Sequence, residues 1–277
     1  MLSIFRLSAY VVIAFIFMFI TLVARDLHAR PWQPDNVDGS GNGIYDNRPR
    51  PKAEPAPARP HSDVALVVAS MKADDTTWVD RYLPYGWRAH KYVVDDPYAP
   101  LTVPANKGRE AMVYLTHIID TYHDDDAPPY VVFVHASRFA WHNDDPDYDA
   151  VPTLRNLQLN HVREEGYVNL RCVWAVGCPA EIRPYQDEGL GSAEKERVPT
   201  AKRVYKAAWG ELMHGEPAPE VVAVSCCSQF AVTREMIRSR PLADYVHFRD
   251  WLLETPLDDS LSGRVLEFSW HSKFALV

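Results

Sequence analysis

Two histidines stand in the densest polar stretch of the chain, His135 and His142, followed by Asn143, Asp144 and Asp145 and interleaved with Arg138, Phe139 and Trp141. A histidine beside carboxylates can act as general acid or base near neutral pH, and equally can serve as a hydrogen-bonded structural residue. Asp95 and Asp96, before Pro97, offer hard oxygen ligands for a divalent cation, magnesium or manganese, or else form an Asp-Pro turn. Asn106 is a natural helix N-cap, which puts Lys107, Gly108 and Arg109 in a first helical turn. The helix dipole disfavours cations there, and a docked phosphate would remove the conflict; side chains turned into solvent are the plain alternative. Ser225, Cys226 and Cys227 bring hydroxyl and thiol nucleophiles after an apolar run, or simply pack. Near the C-terminus, Arg264, Glu267 and His271 share one helix side and Leu261, Val265 and Phe268 another.

The elements that must hold these groups follow from hydrophobic periodicity. Val64 to Ala69 is a short β-branched run, as expected of a buried strand, and a helix should follow over Thr76 to Leu83. Tyr92 to Val94 reads as a second strand ending at Asp95. After the 106–109 turn, Ala111, Met112, Leu115, Ile118, Ile119 and Tyr122 give a helix one apolar face. Tyr130 to Val134 is a third strand, ending at His135. Strand, helix, strand, helix, strand implies a largely parallel sheet, and open sheets of that kind bind ligands at the carboxyl ends of their strands. Ser70, Asp95, Asp96 and His135 should therefore share one rim. Further on, Val221 to Val224 reads as a strand, Thr233 to Arg238 as a short helix, and Ser262 to Phe274 as a final helix.

Ahead of this domain the chain changes character. Leu7 to Ala24 is apolar and uncharged, bracketed by Arg6 and Arg25, long enough for a tilted membrane span. A cleaved signal peptide is the rival reading. Seven prolines between Pro31 and Pro60, with Gly39, Gly41 and Gly43, make an extended linker, since little there can be buried. The expected organisation is an anchor with its flanks over 1–30, a linker over 31–62 and one α/β domain over 63–277. The net charge of −8 gives no overall pull toward nucleic acid, so a polyanion would need a local basic patch. Four cysteines, Cys172, Cys178, Cys226 and Cys227, are too few for a disulfide scaffold and lack zinc-site spacing.

Six segments together, Asp95 to Pro97, Asn106 to Ala111, Phe133 to Ala136, Ala140 to Asn143, Gly166 to Cys172 and Ser262 to Glu267, resemble a largely fungal family labelled as a domain of unknown function. The resemblance spans nearly all of Val64 to Phe274. It implies similarity to the arginine-containing cyclodipeptide synthases, which join two amino acids delivered as aminoacyl-tRNA. It also implies a sheet similar to that of metal-dependent nucleotide-sugar glycosyltransferases. The Asp-Asp-x-x-Glu motif associated with those synthases is absent: Asp74-Asp75, Asp95-Asp96, Asp144-Asp145 and Asp258-Asp259 all lack the glutamate.

The expected function is accordingly a tRNA-dependent cyclodipeptide synthase using arginyl-tRNA, with glycosyltransferase as the alternative and a non-catalytic membrane-tethered module as a third class. Aminoacyl esters are already activated, so His135 or His142 would suffice as proton shuttle and no cofactor is required. The glycosyltransferase alternative would use a divalent cation on Asp95 and Asp96. A tRNA partner calls for a basic surface, for which Lys195, Arg197, Lys202, Arg203 and Lys206, or Arg234, Arg238 and Arg240, are the candidates. The anchor makes a single-pass membrane protein the expectation, with the domain cytosolic if it uses tRNA and lumenal if it transfers sugars.

Overall fold

A computed structural model describes residues 62–171, 182–187 and 200–274. The expected anchor and linker, and with them Lys195, Arg197, Cys172 and Cys178, lie outside the described residues. Among the described residues no helix is long and apolar enough to cross a membrane.

Five strands form one mixed sheet in the order β2-β1-β3-β5-β4. They are β1 (Val64–Ser70), β2 (Trp87–Val93), β3 (Tyr130–His135), β4 (Tyr167–Asn169) and β5 (Phe230–Thr233). β1 runs parallel to both β2 and β3, whereas β5 is antiparallel to β3 and β4. The expected parallel sheet is thus realised in its first three strands and broken by β5.

β1 is buried on both faces because helices cover both, which is why it reads as an unbroken apolar run. Ala65 and Val67 face one core, with α2 (Glu110–Thr121), α6 (Ala201–Leu212), α8 (Leu242–Glu254) and α9 (Asp259–Glu267). Val64, Leu66 and Val68 face the other, with α1 (Thr77–Tyr82), α3 (Ala150–Arg155) and α4 (Leu159–Glu165). In the first core Tyr114, Phe133, Phe230 and Trp270 form an aromatic cluster, with Phe133 4.6 Å from Tyr114 and 5.0 Å from Phe230 between ring centroids. α6 buries Tyr205, Ala208, Trp209 and Leu212, one stripe at helical spacing.

Several boundaries differ from the sequence reading, β2 among them, which begins at Trp87 and not at Tyr92. Val221 to Val224 makes only an isolated bridge, Val222 with Ile182, and the strand lies further on at Phe230–Thr233. Thr233 then caps α7 (Arg234–Arg238) by accepting from Met236 N. The C-terminal helix is two: α9 ends at Glu267, and after Phe268 and Ser269 the short α10 (Trp270–Phe274) begins. The fifth helix in chain order among the described residues, the short α5 (Pro184–Asp187), precedes α6.

Candidate functional site

β1, β2 and β3 end level: Ser70 lies opposite Val93, and Ala69 opposite His135. An open cleft of about 340 Å³ sits on this edge, lined by Ser70, Met71, Asp74, Asn106, Arg109, Glu110, His135 and Asp259. A larger groove of about 530 Å³ lies at the opposite edge, against Asp63, Tyr130 and Thr233, away from the strand ends that carry the histidines.

The 106–109 segment is built differently from a first helical turn. Gly108 and Arg109 take φ of 68° and 56°, and α2 starts only at Glu110, whose charge suits the helix N-terminus. The turn is clamped from both sides. Lys107 Nζ donates to the carbonyls of Leu253 (3.0 Å) and Thr255 (2.6 Å), closing the end of α8, and Gly108 N donates to Asp259 Oδ1 (3.0 Å) at the start of α9. Lys107, expected at a phosphate, is therefore engaged as a helix C-cap. Asn106 and Arg109, from the same turn, are exposed and face the cleft.

Asp95 and Asp96 leave the same sheet edge but turn to Lys72. Asp95 Oδ1 accepts from Lys72 N (2.7 Å); Asp96 pairs with Lys72 Nζ (3.1 Å) and accepts from Tyr98 N (3.0 Å). Asp96 is thus paired with an ammonium group and Asp95 with a backbone N–H, and among the described residues no group of three or more His, Cys, Asp or Glu is disposed to hold a metal ion.

His135 is fixed at ring and backbone. Its N–H donates to Gln229 Oε1 (3.1 Å), and its Nε2 lies 2.7 Å from the Cys227 carbonyl. A carbonyl only accepts, so Nε2 carries the proton and, in the neutral ring, Nδ1 holds the free lone pair. The His142 ring stacks on it at 4.7 Å and in turn meets Trp141 at 4.4 Å. Burial, then His135, Arg171, Arg264 and Arg109, lower the His142 pKa to about 4, so this imidazole is neutral near pH 7. Arg171, Arg264 and Arg109 thus lie close enough to this ring for their charges to act on it.

The loop after β3 is rigid. Arg138 grips Asp149 with two bonds of 2.9 and 2.6 Å, and the buried Asn143 donates to the Arg138 and Tyr148 carbonyls. Gln229 Nε2 donates to Asn143 Oδ1 (3.1 Å), tying this loop to the start of β5.

Cys226 and Cys227 are joined in a disulfide, so neither is the free thiol nucleophile the sequence offered. Ser225 precedes them, half-buried, with no hydrogen bond that ties it to the histidines. Cys227 N donates to Glu267 Oε1 (2.7 Å). Glu267 is buried, and desolvation pushes its carboxyl above the ordinary carboxylate range, opposed by that N–H and by Arg264, which lies 3.4 Å away on the same helix. His271, beyond the helix break, bonds instead to Ser272.

The structure thus gathers His135, His142, Glu267, Arg109 and Arg264 and leaves Lys107, Asp95 and Asp96 in structural contacts. Sequence reasoning missed Glu110, Asp259 and Arg171, and also Gln229. Glu110 and Arg171 lie within the segments Asn106 to Ala111 and Gly166 to Cys172, and an isolated Gln between Ser228 and Phe230 at a strand start is the available signal for Gln229.

A single α/β domain with titratable side chains and guanidinium groups gathered at the carboxyl edge of its parallel strands is the class that fold and site define. The family model described as Protein of unknown function (DUF3431) matches residues 66–276, and the chain belongs to that family. No curated protein and no solved structure matches it. None of these comparisons extends to the cyclodipeptide synthases or to the glycosyltransferases.

Proposed function

We propose that the domain is a glycosyltransferase that moves a sugar from a nucleoside-diphosphate donor to an acceptor hydroxyl. The supporting observation is that His135, tied through the Cys227 backbone to Glu267, shares its cleft with Arg109, while Arg171 and Arg264 act electrostatically on the adjoining His142. In this reaction the bond from the anomeric carbon to the diphosphate breaks and a bond to the acceptor oxygen forms. The acceptor proton passes to His135 Nδ1, and the guanidinium groups match the charge left on the diphosphate. Asp74, Glu110 and Asp259 in the cleft wall suit sugar hydroxyls, which donate to carboxylates. No step is assigned to a metal.

Two observations favour this donor over aminoacyl-tRNA. Disulfides persist in secretory compartments and are uncommon in the cytosol, where charged tRNA is found. The basic group Arg234, Arg238 and Arg240 serves the other edge of the sheet: Arg234 donates to Ala127 and Thr121 carbonyls, Arg238 to Tyr122, and Arg240 pairs with Asp244. A lumen-facing domain tethered through Leu7 to Ala24 accords with this reading.

The second reading, an arginine-containing cyclodipeptide synthase, draws on the same acidic wall, since Asp74, Glu110 and Asp259 are the chemistry that would hold a guanidinium side chain. One experiment separates the two. The full chain is given uridine, guanosine and adenosine diphosphate sugars, with nucleoside diphosphate release followed by chromatography. In parallel it is given arginyl-tRNA with a full set of other aminoacyl-tRNAs, with diketopiperazines sought by mass spectrometry. Release from a nucleotide sugar that His135→Ala abolishes supports the proposal. A ribonuclease-sensitive diketopiperazine with no such release overturns it in favour of the second reading.

A further inference from the structure

Adjacent cysteines closing on each other form a ring of eight atoms that includes the peptide between them. Here that ring is sealed in the protein, with Cys226 1% and Cys227 6% exposed. The chain leaves it through two successive non-glycine residues in the left-handed region, Cys227 at φ 90° and Ser228 at φ 49°. L-residues seldom adopt that region, and two in a row persist only where surrounding bonds over-determine them. The over-determining bonds can be named. Cys227 offers its N–H to Glu267 and its carbonyl to His135, both at 2.7 Å. The backbone of one residue therefore joins the buried carboxyl to the imidazole.

We infer that the Cys226–Cys227 disulfide is the positioning element of the site, holding the Cys227 peptide so that His135 and Glu267 are competent only when the two sulfurs are bonded. This rests on the reading of His135 and Glu267 as the working acid–base unit. Neither sulfur touches substrate; the ring acts through the peptide it constrains. A dithiol reductant would open it. The S–S bond breaks, two electrons come from the reductant, each cysteine sulfur takes a proton as a thiol, and the reductant closes to its own disulfide. Without the ring, Cys227 is free to leave the left-handed region, turning its N–H from Glu267 and its carbonyl from His135. His135 then loses the acceptor that keeps the proton on Nε2. Glu267 loses a donor to its charged form and is left among Arg264 on its own helix, Glu110 and Tyr114 on α2, and His135 on β3. The consequence is compartmental: the site assembles where disulfides form and is idle in a reducing one.

The test uses the full chain. Wild type and the Cys226→Ser/Cys227→Ser double variant are compared before and after dithiothreitol, and after reoxidation. Two readouts are taken: turnover on the donor, and the nitrogen resonances of isotopically labelled histidine, with His135 assigned by its Ala variant. The expected result is at least a tenfold fall in kcat with little change in donor KM on reduction, restored by reoxidation and reproduced by the double variant, which no longer responds to the reductant. The His135 resonances should move from a fixed Nε2–H tautomer to a mixture in the same samples. Unchanged resonances on complete reduction, or a response to reductant that persists in the double variant, would overturn the inference. If no donor is turned over, the glycosyltransferase proposal fails, while the histidine spectrum still decides this one.

Discussion

A Cβ placed on Gly263 would stand 3.0 Å from the carbonyl oxygen of Gly108 and 3.3 Å from Arg109 Cδ. The helix bearing Arg264 and Glu267 and the turn bearing Arg109 thus cross at backbone contact, and glycine is what lets them. The Gly108 carbonyl cannot easily yield, because Lys107 and the Gly108 N–H clamp the turn from both sides. Gly263→Ala should cost about 1–3 kcal/mol by overpacking and lower turnover in the same variant. Thermal unfolding checks it, and a melting temperature equal to wild type would show that this crossing is not as tight as drawn.

Lys107 and Arg109, two residues apart, should part company under mutation. Lys107→Met removes a charged donor from two carbonyls and should cost about 1–3 kcal/mol of stability while donor KM stays within about twofold. Arg109→Ala, at an exposed position, should leave the melting temperature nearly unchanged and raise donor KM by about tenfold. Paired denaturation and kinetic runs distinguish the two; the reverse pattern would return the phosphate role to Lys107.

The contrast marks how far the sequence could be read. β1 and β3, apolar runs buried on both faces, announce themselves, and with them the edge where His135 sits. β2 is an edge strand whose Arg88, His90 and Lys91 hide its period, so only its end at Tyr92 was legible. β4 and β5, of three and four residues, are too short to carry a period at all and are fixed by pairing across long stretches of chain. The 106–109 turn misled because Asn106 is a good N-cap residue; what overrides it is the pair of long-range clamps from α8 and α9, which no local pattern records. Glu267 was found by helical spacing alone. Its tie to Cys227, 40 residues away in sequence, was not, because it runs through a backbone N–H that every residue possesses.

Glu267 should shape stability in the direction opposite to an ordinary paired acid. Its folded pKa lies above the unfolded value, so the native state holds a proton more tightly, and stability is lost as pH rises through that window. Glu267→Gln keeps an oxygen for Cys227 N and removes the ionisation. The variant's melting temperature relative to wild type should therefore increase as pH rises above the ordinary carboxylate range, with turnover reduced about tenfold or more. Parallel melts across that range test the sign; a difference that shrinks with rising pH would show that the carboxyl is stabilised, not strained, in its site.

His142 works the other way. Its folded pKa, about 4, lies below the ordinary imidazole value, so the unfolded chain takes up the proton first and stability falls as pH drops from about 6.5 toward 4. The loss would be up to ~3 kcal/mol for a ring sealed from water and ~1–2 kcal/mol for one at this depth. His142→Gln should flatten that part of the stability curve while His117, held to about 3 by burial, keeps its own slope. Denaturant midpoints at a series of pH values measure both, and an unchanged slope would remove His142 from the buried neutral class.

The order of the sheet, β2-β1-β3-β5-β4, also governs when the molecule can become whole. β5 lies between β3 and β4, so β4, made more than sixty residues earlier, has no partner until Phe230 to Thr233 arrive. Closing β3 against β5 spans about a hundred residues, which makes this pairing slow relative to β1 with β2. During synthesis the early strands stand with the β3 edge bare as well as that of β2, a surface on which strands from other chains can add. Glu267 follows later still, so its tie through Cys227 to His135 is among the last parts to form, and a ribosome paused before α9 holds a domain with its cleft half built.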